Sequence, residues 1–146
     1  MKLFIKKLRE NAAIPERATP GSSGLDLYAC IDHPITINAG MTVIIPTGLS
    51  AKPQIDDTAL LIYPRSGLAS RYGISLANCV GVVDSDYRGE ICVPLFNHGN
   101  TPFTVEPGMR IAQLVVTPVI FPDIVLSDTL DETLRGHGGF GSSGLK

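Results

Sequence analysis

Glu90-Ile91-Cys92-Val93-Pro94-Leu95-Phe96-Asn97-His98-Gly99-Asn100-Thr101-Pro102-Phe103-Thr104-Val105-Glu106-Pro107-Gly108-Met109-Arg110-Ile111-Ala112-Gln113-Leu114-Val115-Val116-Thr117-Pro118-Val119 holds three apolar segments parted by two turn sequences. The segments, residues 90–96, 103–105 and 110–119, are short and rich in side chains that suit a pleated surface. Asn97-His98-Gly99-Asn100 and Glu106-Pro107-Gly108 supply residues that reach positive φ or preset it, each where an apolar run must reverse. Working outward, the same rhythm recurs at residues 2–8, 25–30, 42–46 and 59–63, with Asn38-Ala39-Gly40 as a further reversal. Eleven prolines spread along the chain disfavour long helices. The pattern predicts an all-β sandwich or barrel, with one helical turn over residues 66–72 and a second over 128–135, where acidic residues precede an arginine.

A chain of 146 residues has room for one domain, and 44% hydrophobic against 18% charged residues excludes wholesale disorder. Apolar runs such as 59–63 and 114–116 fall far short of the ~20 residues that span a bilayer, so no membrane role is expected. The net charge of −2 argues against a broad footprint for duplex nucleic acid. No unit of about 20–50 residues repeats. Cys30, Cys79 and Cys92 have no C-x-x-C spacing and read as buried small hydrophobes in a reducing compartment. His33, His98 and His137 are too scattered for a metal site and read as satisfied or exposed. The start of the chain has a basic flank without the apolar stretch of a secretory signal, so a cytoplasmic location is expected.

Every Lys or Arg between Pro53 and Leu145 is an arginine: Arg65, Arg71, Arg88, Arg110 and Arg135. Any one alone reads first as a solvated charge, but arginine also offers a bidentate fork for carboxylate or phosphate. Pro64-Arg65-Ser66-Gly67-Leu68 follows an apolar segment and opens the expected helix. It suits an anion cradle, and equally a plain serine N-cap with a glycine turn. Gly81-Val82-Val83-Asp84-Ser85-Asp86-Tyr87-Arg88-Gly89-Glu90 sets two carboxylates, a tyrosine and an arginine between two apolar segments. One carboxylate is explained by an Asx-turn; the other can orient and deprotonate a water. Five of the nine residues 136–144 are glycine, with two serines and Phe140, a composition that fits either a flexible terminus or a lid that wraps phosphates and stacks on a base. Together these loops point to a nucleotide phosphate ester handled in a closed site, without a Walker or dinucleotide glycine motif.

Five segments in order carry a resemblance: Gly24-Leu25-Asp26-Leu27-Tyr28-Ala29, Pro64-Arg65-Ser66-Gly67-Leu68-Ala69, residues 81–89, Arg110-Ile111-Ala112-Gln113-Leu114, and residues 135–144. With them the chain resembles the trimeric deoxyuridine triphosphate nucleotidohydrolase (dUTPase) family, departing where Val83 replaces isoleucine and Ser143 replaces threonine. The resemblance implies a distorted jelly-roll or β-clip-like barrel in one domain. Residues 1–120 would form the catalytic body, 121–134 an arm crossing to a neighbouring subunit of a homotrimer, and 135–146 a flexible lid. It implies hydrolysis of dUTP to dUMP and pyrophosphate, with Asp84 activating the attacking water. Mg²⁺ would be held mainly by the triphosphate, and Asp26 would reach it through water. Arg65, Ser66, Gly67 and Gln113 would grip the phosphates, joined by Arg135, Gly141, Ser142 and Ser143, with Arg110 supporting that constellation. Asn78 and the backbone of Val82, Val83 and Cys92, on a hairpin over residues 73–84 and its neighbour, would read uracil. Tyr87 would pack on the sugar and exclude a 2′-hydroxyl, and Phe140 would stack on the base. Two rivals remain: a dCTP deaminase of the same fold family, and a nonenzymatic barrel binding single-stranded nucleic acid, against which the sparse aromatics and acidic balance weigh. No stable nucleic-acid partner is expected.

Overall fold

The computed structural model describes residues 1–139 and Ser142. The longest strand, β11 (Arg110–Pro118), sits at the centre of the largest sheet, antiparallel to β2 (Leu25–Tyr28) on one side and β6 (Thr58–Pro64) on the other. The remaining position beside β6 belongs to β8 (Gly81–Val83), giving the order β2-β11-β6-β8. A second sheet has the order β4-β9-β7, from β4 (Thr42–Pro46), β9 (Cys92–Asn97) and β7 (Ile74–Leu76). Two-stranded pairs complete the body: β1 (Leu3–Lys7) with β5 (Leu49–Pro53), and β3 (Ile35–Ile37) with β10 (Phe103–Val105).

All pairings are antiparallel, and inward positions interlock as one core. Leu27, Ile45, Leu60, Val93 and Leu114 are fully buried there, each worth roughly 1.5–3 kcal/mol of transfer free energy. Buried Asn97 organises the turn the sequence marked. Its amide donates to the carbonyls of Ile37 (2.9 Å) and Thr101 (2.8 Å) and its side-chain oxygen accepts from Gly99 N–H at 2.9 Å.

The all-β expectation holds, and the helix α1 (Ser66–Tyr72) has the expected bounds because Gly73, at φ 66°, caps it in the left-handed region. Four strands escaped the sequence reading: β3, β5, β7 and β8, three of which have only three residues. The helix expected over 128–135 is absent; only a turn over 134–137 forms. The apolar residues of that segment are solvent-exposed, with Leu130 88% and Leu134 111% exposed, so no packed face pays the cost of nucleating a helix. Of the three cysteines only Cys30 is buried; Cys79 and Cys92 are exposed, a correction to their reading as core residues. His33, His98 and His137 are exposed, as expected. Among the described residues no helix is long and apolar enough to cross a membrane.

Candidate active site

The central strand β11 places Gln113 directly across from Asp26 on β2 and from Tyr63 on β6. A register shift between Arg110 and Ala112 adds an extra residue opposite β2 and re-aims the strand's start. From there Arg110 donates to one oxygen of Asp26 at 3.2 Å, while Arg65 Nε donates to the other at 3.0 Å. The Asp26 side chain is only 12% exposed, so its charge is tolerable there because both guanidinium groups meet it. Gln113 donates to the Pro64 carbonyl at 2.9 Å, and Gly24 approaches it so closely that an added Cβ would lie 2.5 Å from Gln113 Oε1.

Gly24, Asp26, Arg65 and Gln113, with Ala18, Ser22, Ser66 and Gly67, line a cavity of about 200 Å³. The N-cap of α1 is Arg65 and not Ser66, and no side chain caps it. The Arg65 carbonyl accepts from Leu68 and Ala69 N–H, so helix geometry supplies no partner for the N–H groups of Ser66 and Gly67 at this cavity. The arrangement suits an anion: amide donors, a hydroxyl and a guanidinium held in line by a buried carboxylate. Gly24 opens the first of the five motifs but carries no expected site role in the sequence, where its signal is only its place two residues before Asp26.

The second set of residues gathers elsewhere. The expected hairpin over 73–84 does not form: β7 joins β9, β8 joins β6, and the chain between them crosses from one sheet to the other. Among the described residues the outer edge of β8 therefore carries no strand. Asn78, Gly81, Val82, Val83 and Cys92 line a cavity of about 290 Å³ floored by Ile62, Leu76 and Pro94 with Ile44 beside them. A neighbouring hollow of about 250 Å³ shares Val82, Val83 and Cys92 and adds Asp84, Tyr87, Glu90 and Ile91. An apolar slot bordered by unpaired strand edge suits a flat ring with a polar rim. Although Cys92 is exposed as a residue, partial desolvation of its thiol raises its pKa, helped by the negative charge of Glu90 and opposed by Arg9. Asp84 is exposed, and among the described residues no hydrogen bond to its carboxylate is formed.

The residues expected to grip phosphate and those expected to hold base and sugar thus line cavities that have no residue in common. Each cavity falls below the roughly 300–1,000 Å³ of ordinary ligand sites. Arg135 and Ser142 are exposed, with Arg135 Nε donating to the Gly138 carbonyl at 2.8 Å, and neither lines these cavities. Phe140, Gly141 and Ser143 lie outside the described residues.

A family model described as dUTPase matches residues 10–144. The chain is 50% identical over 147 aligned positions to the deoxyuridine 5'-triphosphate nucleotidohydrolase of Desulfitobacterium hafniense strain DCB-2, covering 99% of this chain and 97% of that one. It is 46% identical to the protein of that name from Aeromonas salmonicida, over 99% of this chain and 95% of that one. A mutant dUTPase of Staphylococcus bacteriophage 80alpha, solved with dUpNHpp, has the same fold with a TM-score of 0.89 at 23% identity, over 99% of both chains. A mutant dUTPase of the S. aureus phage phi11, solved to describe coordination of a structural Mg(II) ion, superposes with a TM-score of 0.81 at 18% identity, over 90% of this chain and 100% of that one. The fold is therefore the jelly-roll-like one expected from the five motifs, and this chain belongs to the dUTPase family.

Proposed function

We propose that this protein hydrolyses dUTP to dUMP and pyrophosphate, limiting uracil incorporation into DNA and supplying dUMP for dTMP synthesis. The observation that carries the reading is that one family match spans both halves of the candidate site, the Arg65 cavity and the Asp84 cavity. In the reaction the Asp84 carboxylate takes a proton from a water whose oxygen bonds to the α-phosphorus. The bond from the α-phosphorus to the α,β-bridging oxygen breaks in line, and pyrophosphate leaves with that oxygen. Arg65, Ser66, Gly67 and Gln113 hold the phosphates, with Asp26 and Arg110 aligning Arg65. The slot at Asn78, Val82, Val83 and Cys92 receives uracil, whose acceptor and donor pattern cytosine lacks. Tyr87 packs on the deoxyribose.

The donor set suits a Mg²⁺ that arrives on the triphosphate. Among the described residues no group of three or more His, Cys, Asp or Glu side chains could cage an ion, and Mg²⁺ keeps several waters when substrate phosphates bind it. Asp26, with each oxygen taking one guanidinium bond, retains lone pairs to receive a metal-bound water. Bound there, Mg²⁺ supplies neutralisation of the charge that develops on the phosphates.

We further propose a homotrimer in which residues 1–120 form the body, 121–134 cross to a neighbour, and 135–146 close over the bound nucleotide with Arg135, Phe140, Gly141, Ser142 and Ser143. Two features support it: the separation of the two half-sites on one chain, and an apolar arm, with Ile124 91% and Leu126 95% exposed, that needs cover. Three free thiols, two of them exposed, suit a reducing cytoplasm. The test is release of pyrophosphate from dUTP, dTTP, dCTP and UTP with and without Mg²⁺, together with Asp84→Asn. The expected result is Mg²⁺-dependent turnover of dUTP, poor turnover of the others, and loss of turnover with retained dUTP binding in the variant. Ammonia release from dCTP, or undiminished turnover by Asp84→Asn, would contradict it.

A further inference from the structure

The loop that carries Asp84 and Tyr87 is braced partly by its own residues and partly by residues outside the five motifs. Tyr87 N–H donates to the Asp84 carbonyl at 3.1 Å. The Arg88 side chain folds back, donating to the carbonyls of Ser85 at 2.7 Å and Tyr87 at 2.8 Å, so this arginine is spent on its own loop. Ser50 Oγ donates to the Arg88 carbonyl at 2.9 Å. At the far end the Thr47 hydroxyl donates to the Ile91 carbonyl at 2.6 Å, and Ile91 N–H donates to the Leu49 carbonyl at 2.8 Å. Between them Glu90 Oε1 accepts from Gly48 N–H at 2.8 Å, with Arg9 Nε 3.9 Å from the same oxygen. Gly48 itself leaves no room for a side chain: it stands at φ +68°, and a Cβ on it would meet Ala12 and Cys30 at 2.7 Å.

Tyr87 is 45% exposed, and a half-exposed aromatic ring ordinarily samples more than one rotamer. Here it is held twice. Its hydroxyl donates to the Glu90 carbonyl at 3.1 Å. Its ring lies so close over Gly89 that an added Cβ would fall 3.0 Å from Cε2 and nearer still to the hydroxyl. Gly89 is not among the positive-φ glycines, so the ring depends on the missing side chain and not on unusual backbone freedom. A wall that excludes a 2′-hydroxyl by volume works only if it cannot swing aside, since a contact that yields costs the wrong substrate little.

We infer that Gly89 and Glu90 are positioning residues that fix the Tyr87 ring and so set the preference for 2′-deoxyribose over ribose triphosphates. The inference rests on the reading of Tyr87 as the residue that packs on the sugar. Glu90 acts through its side-chain bond to Gly48, which fixes the carbonyl that receives the tyrosine hydroxyl. Gly89 acts by leaving space for the ring.

The test measures kcat and KM for dUTP and for UTP in Gly89→Ala, Glu90→Ala, Glu90→Gln and Tyr87→Ala, with the melting temperature of each. Gly89→Ala and Glu90→Ala are expected to lower the dUTP:UTP ratio of kcat/KM by about tenfold, mainly through a gain on UTP. Glu90→Gln keeps an acceptor for Gly48 N–H and should hold the ratio within about twofold of the parent. Gly89→Ala leaves the bond to Gly48 intact, so it reports on the ring without loosening the loop. Parallel losses on both substrates, with the ratio unchanged while Tyr87→Ala lowers it, would overturn the positioning role. An unchanged ratio in Tyr87→Ala would instead overturn the reading of Tyr87 itself, and the inference with it.

Discussion

Asp26 binds Arg65 through one carboxylate oxygen at 3.0 Å and Arg110 through the other at 3.2 Å, so one largely buried charge sets the direction of two guanidinium groups. Arg65 lines the candidate phosphate cavity and Arg110 does not, which makes Arg110 a brace for Asp26 and Asp26 a brace for Arg65. Asparagine in place of Asp26 can accept with one atom only and turns an N–H toward the second guanidinium. Asp26→Asn is expected to cost about 1–3 kcal/mol of stability, less than a fully buried pair because the Arg65 and Arg110 side chains are 28% and 49% exposed. Urea unfolding measures that cost, and KM for dUTP should rise alongside it. An unchanged midpoint and KM would remove Asp26 from this role.

Gly48 offers a separate test of the scaffold. Alanine there must adopt φ +68° and place a methyl 2.7 Å from Ala12 Cβ and Cys30 Sγ. The strain and the overpacking together should destabilise Gly48→Ala by about 2–5 kcal/mol, seen as a lowered melting temperature. A fall of less than about 1 kcal/mol would mean that the turn relaxes freely.

The Cys92 thiol is raised by burial and by Glu90, so at any pH below its pKa it holds less thiolate than a free cysteine. Its alkylation, followed by peptide mass spectrometry, should therefore reach half-maximal rate above the ordinary thiol value of about 8.5. Glu90→Gln should move that midpoint down, because the raising charge is gone. Saturating dUpNHpp should slow the reaction, since Cys92 lines the cavity proposed for uracil. Alkylation of Cys92 at an undiminished rate in the presence of the analogue would take that cavity out of the nucleotide site.

Much of the fold was readable because turn chemistry and apolar segments agree in this chain. Gly40 and Gly108 take positive φ at reversals that their neighbours announced, and Gly73 stops α1 where the sequence does. Strands β7 and β8 were missed because three residues are too few for alternation to register, and β5, Leu49-Ser50-Ala51-Lys52-Pro53, lacks β-branched residues. The helix expected over 128–135 rested on charge placement alone, with no partner for its apolar side chains. For the site, the residue types were legible and their grouping was not. Whether Asn78 and Asp84 face Arg65 depends on β8 leaving β7 for β6, a pairing that no local pattern encodes. The double contact of Asp26 with arginines 39 and 84 positions away is likewise a product of the sheet.

The separation of the Arg65 and Asp84 cavities on one chain is the feature on which the shared-site reading turns, and subunit complementation addresses it directly. Asp84→Asn and Arg65→Ala should each abolish dUTP turnover alone. Co-expressed in equal amounts and assembled at random, they should recover about one quarter of the parent activity, because a site drawing Asp84 from one chain and Arg65 from another is intact in that share of pairings. Activity that stays at the background of either variant alone would mean that both residues of a site come from the same chain.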